Sequence, residues 1–212
     1  KSKKNELKNM SELISIKKKT EDEGSMTSEV NDILIKSKGT NLDTKIWLAD
    51  LTHTNSRIVS DCVPYGVGCV AAFAEKHVEL NNPIRLFKYP EKLAEALEKE
   101  IPHIIGFSNY IWNTELGLKF AREIKKKDPN VIIIFGGPHY PLVPKEQEEY
   151  LKKTPEIDFY IPKEGEMAFT NLITALMNFN LDKTIIKDNL KSVHSLDSSG
   201  GAYLTEILPR LS

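Results

Sequence analysis

Four short groups of residues carry side chains able to bind or react, and each follows a run of apolar residues. They are Thr52, His53, Thr54 and Asn55; Ser108, Asn109, Tyr110, Trp112 and Asn113; Gly136, Gly137, Pro138 and His139; and Lys163, Glu164, Gly165 and Glu166. Neutral hydrogen-bonding groups, aromatics and glycines dominate, and paired carboxylates are scarce. Such a set suits a large ligand with many amides and a nucleotide-like tail better than acid–base work on a small substrate. All of these except Lys163 are therefore candidate ligand-binding residues, and no catalytic residue is expected. The Gly136-Gly137 pair is the most informative, because no Cβ stands between its backbone and a bulky ligand. Ordinary roles compete at several positions. The two glycines can form a tight turn, Asn113 can cap a helix, and Glu166 can complement a helix dipole. Trp112 can pack in a core, and His53 and His139 can be plain surface residues.

These groups need elements that bring them to one place. Val131 to Ile134 are four β-branched residues with no polar alternation, so their strand is expected to be buried on both faces. That pattern belongs inside a parallel sheet covered by helices, and ligands of such sheets bind beyond the carboxyl ends of the strands. The glycine pair stands at that end. Further strands are expected at 46–51, 84–87, 103–108 and 159–161. Helices are expected from Pro64, with Val67, Val70, Ala71, Ala74 and Val78 on one face, and from Pro90, with Leu93, Ala96 and Leu97 inward. Another is expected over 113–127, and a last one is marked by Phe169, Leu172, Ile173 and Leu176. Five strands alternating with five helices imply right-handed crossovers. The expected fold is α/β: a flavodoxin-like (Rossmann-like), doubly wound, five-stranded parallel sheet of order 2-1-3-4-5, with its switch point between strands one and three. The connection from Pro138 to Pro144 is long and proline-rich, which suggests a shaped lip of the site.

The flanks differ. Residues 1–44 are rich in Lys, Glu, Ser, Asn and Thr and hold no aromatic residue, so a poorly ordered extension is expected there. Residues 45–180 form the binding domain. Residues 181–212 read as a linker, with extended pieces over 185–193 and 201–208 about a Ser-Ser-Gly-Gly turn.

Composition removes several function classes. A net charge of −1 with interspersed signs gives no electrostatic footprint for nucleic acid. No apolar run is long enough for a membrane span, and no signal peptide is visible. Cys62 and Cys69 are spaced for neither a redox pair nor a zinc knuckle, so ordinary thiols in a reducing, cytoplasmic setting are expected. A chain that starts at Lys1 is also expected to lack its natural beginning.

Three functions of flavodoxin-like folds can be compared. A phospho-receiver needs an aspartate at the end of the third strand, where this chain has Ser108-Asn109. A flavodoxin needs a hydroxyl-rich loop running straight into the first helix; Thr52 to Ser56 match in part, and the helix starts later. The third is cobalamin binding. Phe107-Ser108-Asn109, Phe135-Gly136-Gly137-Pro138-His139 and Ile161-Pro162-Lys163-Glu164-Gly165-Glu166 resemble, in that order, the successive motifs of the cobalamin-binding domain of cobalamin-dependent radical S-adenosylmethionine enzymes. The similarity spans residues 45–180, and Leu208 to Ser212 resemble the linker into that family's radical domain. The resemblance implies bound cobalamin, with the corrin on the rim and its nucleotide tail passing between strands. Gly136 and Gly137 would border the tail, with Ser108 and Asn109 beneath the ring.

Two departures qualify it. Methionine-synthase-type carriers use Asp-x-His-x-x-Gly, whose histidine ligates cobalt; here Asp50-Leu51-Thr52-His53 has the wrong spacing. His53 is therefore expected not to ligate cobalt, and no metal ligand is expected in the chain. The three-cysteine motif that holds a [4Fe–4S] cluster and S-adenosylmethionine is absent. The chain is thus expected to be the N-terminal piece of a longer enzyme, one that methylates an unactivated carbon, with cluster and S-adenosylmethionine in the missing radical domain. Alone it should not be catalytic. A non-catalytic cobalamin sensor module and an FMN-binding electron carrier are the alternatives.

Overall fold

The computed structural model describes residues 34–54, 63–184, 190–197 and 199–208. In chain order the elements are β1 (Ile46–Ala49), α1 (Tyr65–His77), β2 (Arg85–Phe87), α2 (Pro90–Lys99), β3 (Ile104–Ser108) and α3 (Thr114–Lys127). They continue with β4 (Ile132–Gly136), α4 (Pro144–Lys153), β5 (Phe159–Ile161), α5 (Glu166–Asn178), β6 (His194–Leu196) and β7 (Ala202–Leu204). The sheet order is β2-β1-β3-β4-β5-β6-β7. Strands β1 to β5 are parallel and carry the expected order 2-1-3-4-5 of a flavodoxin-like, doubly wound fold.

The apolar run in β4 explains its own position. Ile132 and Ile134 face one layer with Leu48 of β1, Ala71 and Ala74 of α1, and Phe169, Leu172 and Leu176 of α5. Ile133 and Phe135 face the other with Trp47, Leu93 of α2, Leu118 and Ile124 of α3, and Leu151 of α4. Helices α1 and α5 thus cover one face, and α2, α3 and α4 the other, leaving the strand no wet side.

The sheet is larger than the five strands expected. Strands β6 and β7 form an antiparallel hairpin on the free edge of β5, with Tyr160 opposite His194 and Ser195 opposite Tyr203. A three-residue edge strand presents unpaired backbone groups, and the hairpin covers them. Part of the segment expected to be a linker is therefore folded onto the sheet; its proposed linking role begins only beyond it. Helix α4, which residue periodicity left unplaced, starts on Pro144 and buries only Leu151, so it carries little apolar signal.

The segment before β1 also departs from expectation where it is described. Helix α5 buries residues around its whole circumference, from Met167 to Met177, and a helix apolar on all sides needs cover. Residues 35–44 supply it. The Ile35 amide donates to Asn171 Oδ1 at 2.8 Å, the Thr40 hydroxyl donates to Met177 O at 2.8 Å, and Ile35 and Leu42 pack on the same core. Strand β1 ends at Ala49, two residues early, although Asp50 and Thr52 still donate backbone hydrogen bonds to Phe87 O and Lys88 O. Among the described residues, no helix is long and apolar enough to cross a membrane.

Candidate functional site

A cavity of about 220 Å³ opens at the carboxyl edge of β1, β3, β4 and β5, beneath the starts of α1 and α5. Apolar side chains form its floor, among them Leu48, Ile134, Ile161 and Phe169, with Val67 and Val70 of α1 at one wall. Its polar lining comes from Asp50, Ser108, Lys163, Glu164 and Glu166. Glycines keep it open. A Cβ on Gly106 would lie 2.5 Å from Leu48 Cδ2, and one on Gly165 would lie 3.1 Å from Val70 Cγ2. Gly66, Gly136 and Gly137 complete the glycine edge. Gly137 also has φ +134°, and a Cβ there would meet Asn109 O at 2.7 Å, so the turn itself demands glycine. Tight turn and ligand edge are thus one feature.

Of the expected residues, Ser108, Tyr110, Gly136, Gly137, Glu164, Gly165 and Glu166 line this cavity. Thr52, His53, Thr54, Trp112, Pro138 and His139 lie on the rim outside it, and Asn55 falls outside the described residues. The indole of Trp112 is 60% exposed and stacks on Tyr110, with ring centroids 4.6 Å apart. It belongs to no core. His53 Nε2 lies 2.7 Å from the backbone oxygen of Trp112, tying the loop after β1 to the loop after β3.

Asn109 and Asn113 are wholly buried and work beneath the rim. The Asn109 amide donates to His139 O at 2.6 Å, to Tyr160 Oη at 2.9 Å and to Tyr150 Oη at 3.1 Å. Its Oδ1 lies 2.7 Å from the Thr114 hydroxyl, which in turn lies 2.7 Å from His139 Nδ1. Tyr160 donates onward to Gly137 O at 3.0 Å. One asparagine therefore fixes both the glycine turn and the histidine after it. Asn113 stands at the N-cap position of α3, but its side chain does not cap the helix. Its Oδ1 accepts from the Tyr110 amide at 2.8 Å, and its Nδ2 donates to Ser108 Oγ at 3.1 Å, so no side chain caps α3. The hydroxyl of Ser108 is committed to Asp50, donating to Oδ1 at 2.5 Å.

Sequence reasoning gave no cobalamin-site role to Asp50, Gly106 or the three tyrosines beneath the rim. Asp50 gives the cavity a carboxylate held in place by Ser108, and an acid directly after an apolar strand was the available signal. Gly106 was counted only as a strand residue, though an interior strand glycine marks close approach. Tyr140, Tyr150 and Tyr160 pack together under the rim, Tyr140 and Tyr160 stacking at 3.8 Å. Burial raises the pKa of all three phenols, so they serve as neutral hydrogen-bonding groups. Nearby, His194 is buried with its Nδ1 3.2 Å from Tyr140 Oη. Burial lowers its pKa, and its Nε2 has no partner among the described residues. Among the described residues, no cluster of three His, Cys, Asp or Glu is placed to hold a metal ion.

The cavity is smaller than the roughly 300–1,000 Å³ that encloses a whole drug-sized ligand. It can take one flat, apolar limb of a larger molecule whose body lies across the open rim. The described residues fit a corrinoid in this respect: an apolar slot for a heteroaromatic tail, below an edge of amides, hydroxyls and an exposed indole.

Comparison with known proteins agrees with that chemistry. The model of the B12 binding domain family matches residues 54–173. A cobalamin-dependent radical SAM methyltransferase, TokK of Streptomyces tokunonensis, is 27% identical over 130 residues, which are 58% of this chain and 18% of that protein. A 2-(S-pantetheinyl)-carbapenam-3-carboxylate methyltransferase of Streptantibioticus cattleyicolor is 26% identical over 117 residues, 52% of this chain and 16% of that protein. The chain therefore spans less than a fifth of either curated relative. Among solved structures, the cobalamin-dependent S-adenosylmethionine radical enzyme OxsB with aqua-cobalamin and S-adenosylmethionine bound superposes with a TM-score of 0.61. That match has 16% identity and covers 80% of this chain and 23% of OxsB; it shows a shared fold.

Proposed function

Because this chain belongs to the B12 binding domain family, we propose that it holds cobalamin at the carboxyl edge of its sheet on behalf of a radical S-adenosylmethionine methyltransferase. The methyl acceptor is an unactivated carbon, and the cluster and S-adenosylmethionine reside in a domain outside these 212 residues. The observation that carries this reading is the glycine-edged cavity with its apolar floor. Gly106 lets Leu48 lie against the sheet at that floor, and Gly136 and Gly137 form the edge.

When bound, cobalamin supplies the methyl-carrier chemistry. This chain's residues bind and orient it. The slot takes the apolar end of the tail, and Asn109, through Tyr160 and His139, keeps the rim rigid beneath the corrin. No cobalt-ligating role falls to His53: its Nε2 is engaged 2.7 Å from the backbone oxygen of Trp112, and the Asp50-Leu51-Thr52-His53 spacing differs from that of the ligating motif.

Incubation with hydroxocobalamin and with FMN, followed by desalting and a visible spectrum, tests the proposal. Corrin bands should be retained and flavin bands lost. Retained flavin without corrin would overturn it.

A further inference from the structure

Lys163 stands alone at the mouth of the cavity. It is the one cationic side chain among the described residues that line it, beside the carboxylates Asp50, Glu164 and Glu166. Among the described residues no hydrogen bond or ion pair holds its ammonium, whereas Asp50 is occupied by Ser108. Its backbone is also costly. Lys163 has φ +62°, the left-handed conformation in which glycine is comfortable and a long side chain is not. A strained, unpaired lysine in a ligand cavity otherwise edged by glycines calls for a function that glycine could not supply.

We infer that Lys163 is the anchor for the phosphodiester of a nucleotide-tailed corrinoid, and so selects complete cobalamins over corrinoids that lack the tail. The inference rests on the cobalamin reading above and follows from the ligand's chemistry. The tail joins a ring bearing neutral amide side chains to an apolar base through one phosphodiester, the only anionic group of the tail. With the base in the slot and the ring on the rim, that phosphate falls at the mouth. Glu164 and Glu166 would repel it there; Lys163 reverses the sign at this one point. The remaining contacts, made by the glycine edge and the rim, are indifferent to the phosphate.

The test is a pair of titrations, following tryptophan fluorescence quenching by hydroxocobalamin and by cobinamide, which has the ring without the nucleotide. Lys163→Gln should weaken cobalamin binding about tenfold, lose most of its dependence on salt, and leave cobinamide within about twofold. Lys163→Arg should restore the preference. Lys163→Gly separates backbone from charge: it should raise Tm by relieving the left-handed strain while binding cobalamin as weakly as the glutamine variant. Equal cobalamin affinity in the native chain and the glutamine and glycine variants would overturn the anchor and leave the cobalamin reading intact. Failure of the native chain to quench with either corrinoid would overturn both.

Discussion

Asn109, at the end of β3, reaches under the rim to Tyr160 on β5, placing its Nδ2 2.9 Å from the phenol oxygen. Since Tyr160 then donates to Gly137 O, the glycine turn after β4 is held from the strands on both of its sides. Replacing the amide by a carboxylate tests this hub. Asn109→Asp should destabilise the fold by about 3 kcal/mol, because an acceptor would then face the carbonyl of His139 in a buried setting. Urea denaturation measures it, and a loss below about 1 kcal/mol would show that the hub does not hold the rim.

Gly136 and Gly137 are adjacent but should respond differently. A Cβ at Gly137 meets Asn109 backbone atoms at 2.7 and 3.0 Å, at a φ of +134°. A Cβ at Gly136 meets Ile161 O at 3.3 Å and Ile161 Cβ at 3.7 Å, the second an ordinary contact. Gly137→Ala should cost about 3 kcal/mol or more, and Gly136→Ala about 1 kcal/mol. Denaturation midpoints of the two variants check the order.

His53→Ala should leave the visible spectrum of bound hydroxocobalamin unchanged, since Nε2 is engaged by Trp112 O. A displaced band would identify His53 as a cobalt ligand.

Stability should also depend on pH through His194. Burial holds this imidazole below its ordinary value of 6.5, and Nε2 has no partner among the described residues. The unfolded chain takes up a proton near 6.5 while the folded chain resists it. The contribution of His194 is therefore complete above that pH and is lost as pH falls toward the lowered folded value. Tm should drop between about pH 7.5 and 5.5, and His194→Gln should show a shallower slope. Identical slopes would place the acid sensitivity elsewhere.

What the sequence made legible follows the range of the forces involved. The β4 run and the inward residues of α2, Leu93, Ala96 and Leu97, were readable because burial writes itself into local periodicity. The glycine pair was readable because backbone geometry demands it. Side-chain capping by Asn113, one of its competing roles, could not be decided from sequence because an amide can serve its own helix or the loop before it. That choice is settled by Tyr110, Ser108 and Asp50, the last of them from another strand. The structural role of Asn109 was hidden for a similar reason: its partners Tyr150 and Tyr160 come from elements far along the chain. The β6–β7 hairpin was legible only in part: β7 and the turn before it fall where an extended piece and a Ser-Ser-Gly-Gly turn were expected, whereas β6 starts just past the piece expected over 185–193, and two three-residue strands carry too little alternation to reveal their pairing with β5.

That hairpin has a consequence for how the domain is wired. Strand β6 runs against β5, and β7 runs against β6, so two reversals restore the direction of the parallel strands. Past β7 the backbone emerges on the cavity side, where Ser192 N still bonds Glu206 O and Leu208 N bonds Ser192 Oγ. The chain through Leu208 thus leaves the hairpin at the sheet edge that also holds the carboxyl ends of β1, β3, β4 and β5, where the cavity opens.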